Sequence, residues 1–156
     1  MAAKLGDILA GPKLTVTKES DGTNLNGEGD AVTVDGSNQV SPTGDGDDLF
    51  GVVVGPARDG IDLTDLSAGD PVVVLIHGGV VANAGGSVTE GDALETSGTA
   101  GRLAQNGSGT ERDVDEGGAA TYTVAHSTAL ALSDSGGDTP AGESIETNEA
   151  AIFVGR

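Results

Sequence analysis

Apolar and polar positions alternate in "KLTVTKE", where Leu14 and Val16 interleave with Thr15 and Thr17, and again in "DAVTVDG", around Val32 and Val34. Period 2 is the signature of a half-buried strand. "LFGVVVG" and "DPVVVLIH" are continuous apolar runs, rich in β-branched residues and bounded by Gly, Asp or Pro, and read as buried strands. "TYTVAHSTALAL" and the closing "EAAIFVGR" supply later ones. Clusters of Gly, Asp and Ser between them are the turn chemistry expected where φ must be positive. Only "LTDLSAG" (63–69) and "MAAKLGDILAG" offer a helical turn, and both are short. The pattern predicts an all-β fold, a compact antiparallel sandwich or barrel over residues 23–156, preceded by an extended N-terminal arm over residues 1–22.

One phrase returns. Gly29, Asp30, Ala31 and Gly36 recur 62 positions later as Gly91, Asp92, Ala93 and Gly98. After an insertion over about residues 105–121 the offset becomes 78. "FGVVVGPARDG" then aligns with "TALALSDSGGD", and "LSAGDPVVVLI" with "SIETNEAAIFV". Identities are few, so two origins stay open: a duplicated unit, with halves at about 29–76 and 91–154, or chance recurrence among glycine-rich strands. A true duplication makes each half cover the other's apolar face. The Gly29–Asp30, Gly69–Asp70 and Gly91–Asp92 pairs read as structural corners, with glycine at the positive-φ position and aspartate bonding back to the chain entering the strand.

Charge changes the picture more than composition does. The chain of 156 residues holds 25 acids against 7 Lys plus Arg, a net charge of −18. Such self-repulsion opposes a compact state at low ionic strength, and about 1 M salt, with a Debye length of ~3 Å, removes most of it. The acidic surface and small-residue core point to a halophilic cell or brine, the alternative being an acidic mesophilic protein. The charge argues against a general affinity for nucleic acid phosphates, which needs basic patches, and no nucleic-acid or membrane partner is expected. Lys4, Lys13 and Lys18 against Asp7 and Glu19 leave residues 1–20 at +1, whereas four arginines against 23 acids leave the remainder at −19. That asymmetry fits an arm docking on an acidic neighbour, or a frayed terminus carrying a few lysines. Zero cysteines exclude disulfides and thiolate metal sites. No run approaches ~18 apolar residues, so no membrane-spanning helix or sorting signal is expected.

Candidate chemistry is sparse. His77-Gly78-Gly79 after a buried strand looks like the oxyanion-hole stretch of lipases, but no serine has glycines at both −2 and +2. His77 and His126 each read as ordinary strand or strand-end residues. "NLNGEGDAVTVD" (24–35) offers Asn24, Asn26, Glu28 and Asp35 at calcium-loop positions, yet it opens on the wrong residue and ends on Asp. Asp45, Asp47 and Asp48 lack the required spacing. No catalytic residue, metal site or cofactor is predicted, and the chain is not expected to be an enzyme.

The succession "GDAVTVDGSNQVSPT…LFGVVVGPA…LSAGDPVVVLIHGGVVANAGGSVTEGDALETS…GRLAQ", closed by "ALALSDS…EAAIFV", resembles the small β-rich capsid decoration (cement) proteins of tailed viruses and proviruses. The likeness covers residues 29–104 and 127–154. It rests on turn and strand signatures, and the 105–121 insertion and the acidity depart from the family pattern. It implies a homotrimer on the outer capsid surface, made in the host cytoplasm, that stabilises contacts between major capsid protein subunits of a virus infecting a halophile. Lys4, Leu5, Ile8, Leu9, Lys13, Leu14, Val16 and Lys18 would then form the capsid-docking arm. On that view, deleting residues 2–18 abolishes capsid association and leaves the β body folded. The alternative is a halophilic tail, fibre or cell-surface β-module binding a glycan or protein receptor; three aromatics are a poor supply for glycan.

Overall fold

A computed structural model describes residues 2–105 and 129–155, together with the backbone of two short strands at 112–115 and 121–124. It is all-β. Nine strands form one antiparallel sheet curled into a half-barrel, and no helix occurs among the described residues. The strands are β1 (Leu14–Glu19), β2 (Ala31–Val34), β3 (Val40–Pro42), β4 (Gly51–Pro56), β5 (Pro71–Asn83), β6 (Ala93–Thr96), β7 (Leu103–Gln105), β8 (Arg112–Asp115), β9 (Thr121–Val124), β10 (Ala129–Ala131) and β11 (Glu149–Gly155). The sheet runs β3-β2-β4-β5-β11-β10-β6-β7, with β1 also on β5, while β8 and β9 pair separately as a hairpin. The stretch 63–69 is a turn, and its Leu63 and Leu66 are buried under β4 and β5.

The inside of the curl is filled from strands on every side. Ala31, Val52, Leu75, Val80, Leu94, Leu103, Ile152 and Val154 form one cluster. Alternate residues of β4 and β5 point the other way, where Val53, Val72 and Val74 pack under Leu25, Leu63 and Leu66. Because both faces of these central strands are covered, they read as unbroken valine runs.

The pairing order repeats along the chain. A hairpin (β2–β3) is followed by β4 on β2 and β5 on β4; a second hairpin (β6–β7) is followed by β10 on β6 and β11 on β10. The uniform offset of 78 nevertheless sets opposite faces against each other. It matches interior Leu75 with half-buried Phe153, whereas the interior residues of β11 are Ile152 and Val154. A slip of one residue exchanges the two faces of a strand, so matching interior with interior here needs an odd offset, 77 or 79, in place of 78.

β5 is long enough to serve both halves. Its residues Pro71–His77 pair with β1 on the edge opposite β4, and its residues His77–Asn83 pair with β11. β1 thus holds, beside the first half of β5, the place that the end of β5 holds beside β11. The N-terminal segment is therefore part of the sheet. Residues 6–9 also line β5 through Gly6 N–H to Val81 O, Val81 N–H to Asp7 O and Leu9 N–H to Gly79 O, at 2.9–3.0 Å. Between the two paired stretches Pro12 and Lys13 pass over Gly78: a Cβ there would lie 2.7 Å from the Pro12 carbonyl oxygen.

Candidate docking surface

The Gly-Asp corners share one construction. In Gly69–Asp70 the glycine has φ +91°, the Asp70 N–H donates to Ser67 O (3.0 Å), and the Ser67 N–H donates to Asp70 Oδ2 (2.9 Å). Gly91–Asp92 repeats this with Thr89 at 3.0 and 2.8 Å. So do Gly6–Asp7 with Lys4 and Gly46–Asp47 with Gly44, which sequence reading did not single out. The carboxylate closes the four-residue turn that the glycine makes. Gly36 and Gly98, also part of the echo, have ordinary φ and open space around them.

Asp30 departs from the other corners. It is fully buried, and its carboxylate accepts from Asn26 N–H (2.7 Å), Asn26 Nδ2 (3.1 Å) and Asn83 Nδ2 (2.6 Å). Gly101, at φ +74°, leaves the space it occupies, since a Cβ there would stand 2.7 Å from the carboxyl carbon. Burial pushes the Asp30 carboxyl above its usual range; the bonds from Asn26 and Asn83 and the charge of Arg102 offset this only in part. The group ties β2 to the end of β5 and to the β6–β7 turn, a structural role.

Three of the four residues expected of a calcium loop, Asn24, Asn26 and Asp35, have their side chains engaged in other bonds. Asn24 Oδ1 accepts from Leu66 N–H (2.7 Å), Asn26 donates to Asp30, and Asp35 Oδ1 accepts from Ser37 and Gln39 N–H. Among the described residues no group of three or more acids or histidines is placed to hold a metal ion. His77 packs edge-on against Phe153, with ring centroids 5.2 Å apart. Gly78 and Gly79 make room for Pro12, Lys13 and Leu9, which accounts for the oxyanion-hole look of this stretch. His126 and most of the 105–121 insertion lie outside the described residues.

The predicted arm residues are divided between core and surface. Leu5 and Leu9 pack with Ala3, Val81, Ile145 and Ala151; Ile8 packs against the interior cluster and Val16 against the valines of β5. Lys18 is half-buried, donates to Asn38 Oδ1 and lies 5.5 Å above the Phe50 ring. Lys4, Lys13 and Leu14 face solvent.

Leu14 (54% exposed) and Leu130 (44%) are the exposed large hydrophobics among the described residues, and one row connects them. Leu130 sits opposite Phe153, Phe153 meets His77, and His77 sits opposite Leu14. Beside the row opens a cleft of about 480 Å³ floored by Gly79, Leu132 and Phe153, walled by residues 8–12, with Asp7 and Glu143 on its lining. Sequence reading singled out Leu14 but missed Leu130 and Phe153, because these belong to strands whose neighbours are core.

No protein-family model matches the chain, and no curated protein matches it.

Proposed function

We propose that this protein is a structural component of a virion: a decoration protein, self-associated as a homotrimer, that binds the outer capsid surface of a tailed virus of a halophilic host and braces neighbouring major capsid protein subunits. The observation that carries the reading is a pair of exposed leucines, Leu14 beside Lys13 and Leu130, joined across the sheet by half-buried His77 and Phe153, on an all-β body whose charge elsewhere is strongly negative. Exposed leucines set on one row of a sheet support the reading as a surface for a partner to cover. Bracing needs shape and many weak contacts acting together rather than reactive groups. The experiment is reconstitution: heads of the encoding virus or provirus, stripped of the protein, are mixed with it at 2 M salt and sedimented. Co-sedimentation, with a higher temperature for DNA release, is the expected result. Heads that neither bind the protein nor gain stability from it overturn the proposal.

A further inference from the structure

We propose that Asn26 is a site of spontaneous covalent modification: when its bonds to Asp30 and Ala100 open, its carboxamide cyclises onto the Gly27 backbone nitrogen and hydrolyses to a carboxylate, which then disfavours refolding. The inference is independent of the decoration reading above. Three observations support it. First, Asn26–Gly27 is the only Asn-Gly pair among the described residues. Asparagine is a labile residue, most so where the next nitrogen is unobstructed; glycine has no Cβ, and nothing lies within 4 Å of where one would stand on Gly27. Second, Asn26 is exposed and the Gly27 N–H has no acceptor among the described residues, so water reaches the pair. Third, the carboxamide is held by the bonds that tie the fold together at this point. Asn26 Nδ2 donates to Asp30 Oδ2 (3.1 Å) and to Ala100 O in the β6–β7 turn (3.2 Å), and Asn26 N–H donates to Asp30 Oδ2 (2.7 Å).

In the reaction the Gly27 nitrogen bonds to Asn26 Cγ and gives up its proton, the Cγ–Nδ2 bond breaks, and ammonia leaves. Water then opens the cyclic imide at one of its two carbonyls, giving aspartate or isoaspartate at position 26. Aspartate sets a carboxylate where the amide donated, against the Asp30 carboxylate and the Ala100 carbonyl oxygen. Three acceptors then face one another and two of them are charged, which opposes burial of Asp30. Isoaspartate also reroutes the backbone through the side chain. Folding thus protects Asn26, and the modification, once made, works against folding.

The test holds the parent chain for days in mildly alkaline buffer, one sample folded at a salt concentration giving the full circular dichroism signal, the other unfolded in urea at the same salt. Peptide mapping with fragmentation then locates the amide-to-acid mass change and separates Asn26 from Asn106, which also precedes a glycine. Conversion at Asn26 is expected to be at least roughly tenfold slower in the folded sample. After dilution of the urea, the chains that fail to refold should be enriched in the converted residue. No conversion in urea overturns the site, and equal rates in the two samples overturn the protection by its bonds. Asn26→Asp carries the product from the start and should lower the urea midpoint or abolish folding. Adding Asp30→Asn should recover part of that loss, because an amide again faces a carboxylate with the two roles exchanged. A single variant as stable as the parent, or a double variant no better than the single, overturns the like-charge consequence assigned to the modification.

Discussion

Asp30 and Asp92 share a dipeptide but not a role. Asp92 closes its own turn at the surface, whereas Asp30 is enclosed by donors from Asn26 and by Asn83, 53 residues away. That second partner and the space left by Gly101 exist only once the chain is folded, so burial of Asp30 was not legible in the sequence. Replacing Asp30 with Ala leaves those amide donors unpaired and is expected to destabilise the protein by about 3 kcal/mol, read as a shift in the urea midpoint at constant m. The pH dependence has a definite sign. The folded carboxyl titrates above its unfolded value of 3.8, so its favourable contribution is complete below that value and is lost as pH rises through the folded pKa. The gap between parent and Asp30→Ala should therefore be larger at pH 3.5 than at pH 7; a larger gap at pH 7 would contradict the burial argument. Glu149 obeys the same sign. Its carboxyl is raised by desolvation and by neighbouring Glu146, and its Oε2 is buried without a partner. Glu149→Gln should raise stability at pH 7 and lose that gain below pH 4, measured by the same denaturant curves.

At the scale of elements, glycine divides into positions that need it and positions that merely have it. Gly91 holds φ +91° with nothing near its would-be Cβ, so Gly91→Ala strains the backbone alone and is expected to cost about 1 kcal/mol. Gly98, five residues beyond the Asp92–Ala93 junction, has ordinary φ and open space, and Gly98→Ala should stay within about 0.5 kcal/mol of the parent. Equal effects at the two sites would remove the conformational explanation of the echo. Strand positions were legible because β4, β5 and β11 carry apolar runs and β1 and β2 alternate. The length of β5 was not: His77-Gly78-Gly79 reads as a strand end, yet the strand continues to Asn83 because those glycines accommodate the N-terminal chain against it. The same crossing changes what removal of the N-terminus should do. Deleting residues 2–18 takes away nearly all of β1 and uncovers Val81 and Ala151, so loss of the β-sheet signal is expected, not a folded body lacking an arm. A cooperative, native-like melt of the deletion variant would show that the segment is dispensable.

At the scale of the whole molecule, the repeated pairing order was legible from Gly-Asp corners and strand spacing, but the curl was not. Whether successive strands form two layers or one curled sheet depends on how β5 pairs along its two halves, and neither composition nor period records that. The acidity has two parts that act differently. Asp7, Asp47, Asp70 and Asp92 use their charge locally, as acceptors inside turns. Exposed acids such as Asp48, Asp59 and Asp65 add to the net charge of −18. A chain of this length has a radius of gyration of about 15 Å. At 0.01 M salt the Debye length of about 30 Å exceeds this, so charges across the molecule repel one another; at 1 M it is about 3 Å, and only immediate neighbours do. The far-ultraviolet circular dichroism of the parent chain should therefore show loss of fold below ~0.2 M salt and recovery near 2 M. Screening further requires that Asp48→Asn, Asp59→Asn and Asp65→Asn together move the salt midpoint downward, and that Asp70→Ala, which removes the acceptor for Ser67 N–H, lower stability at high and low salt alike. A salt midpoint unmoved by the triple substitution, or a parent chain equally stable from 0.1 to 2 M, would separate the acidity from any adaptation to brine.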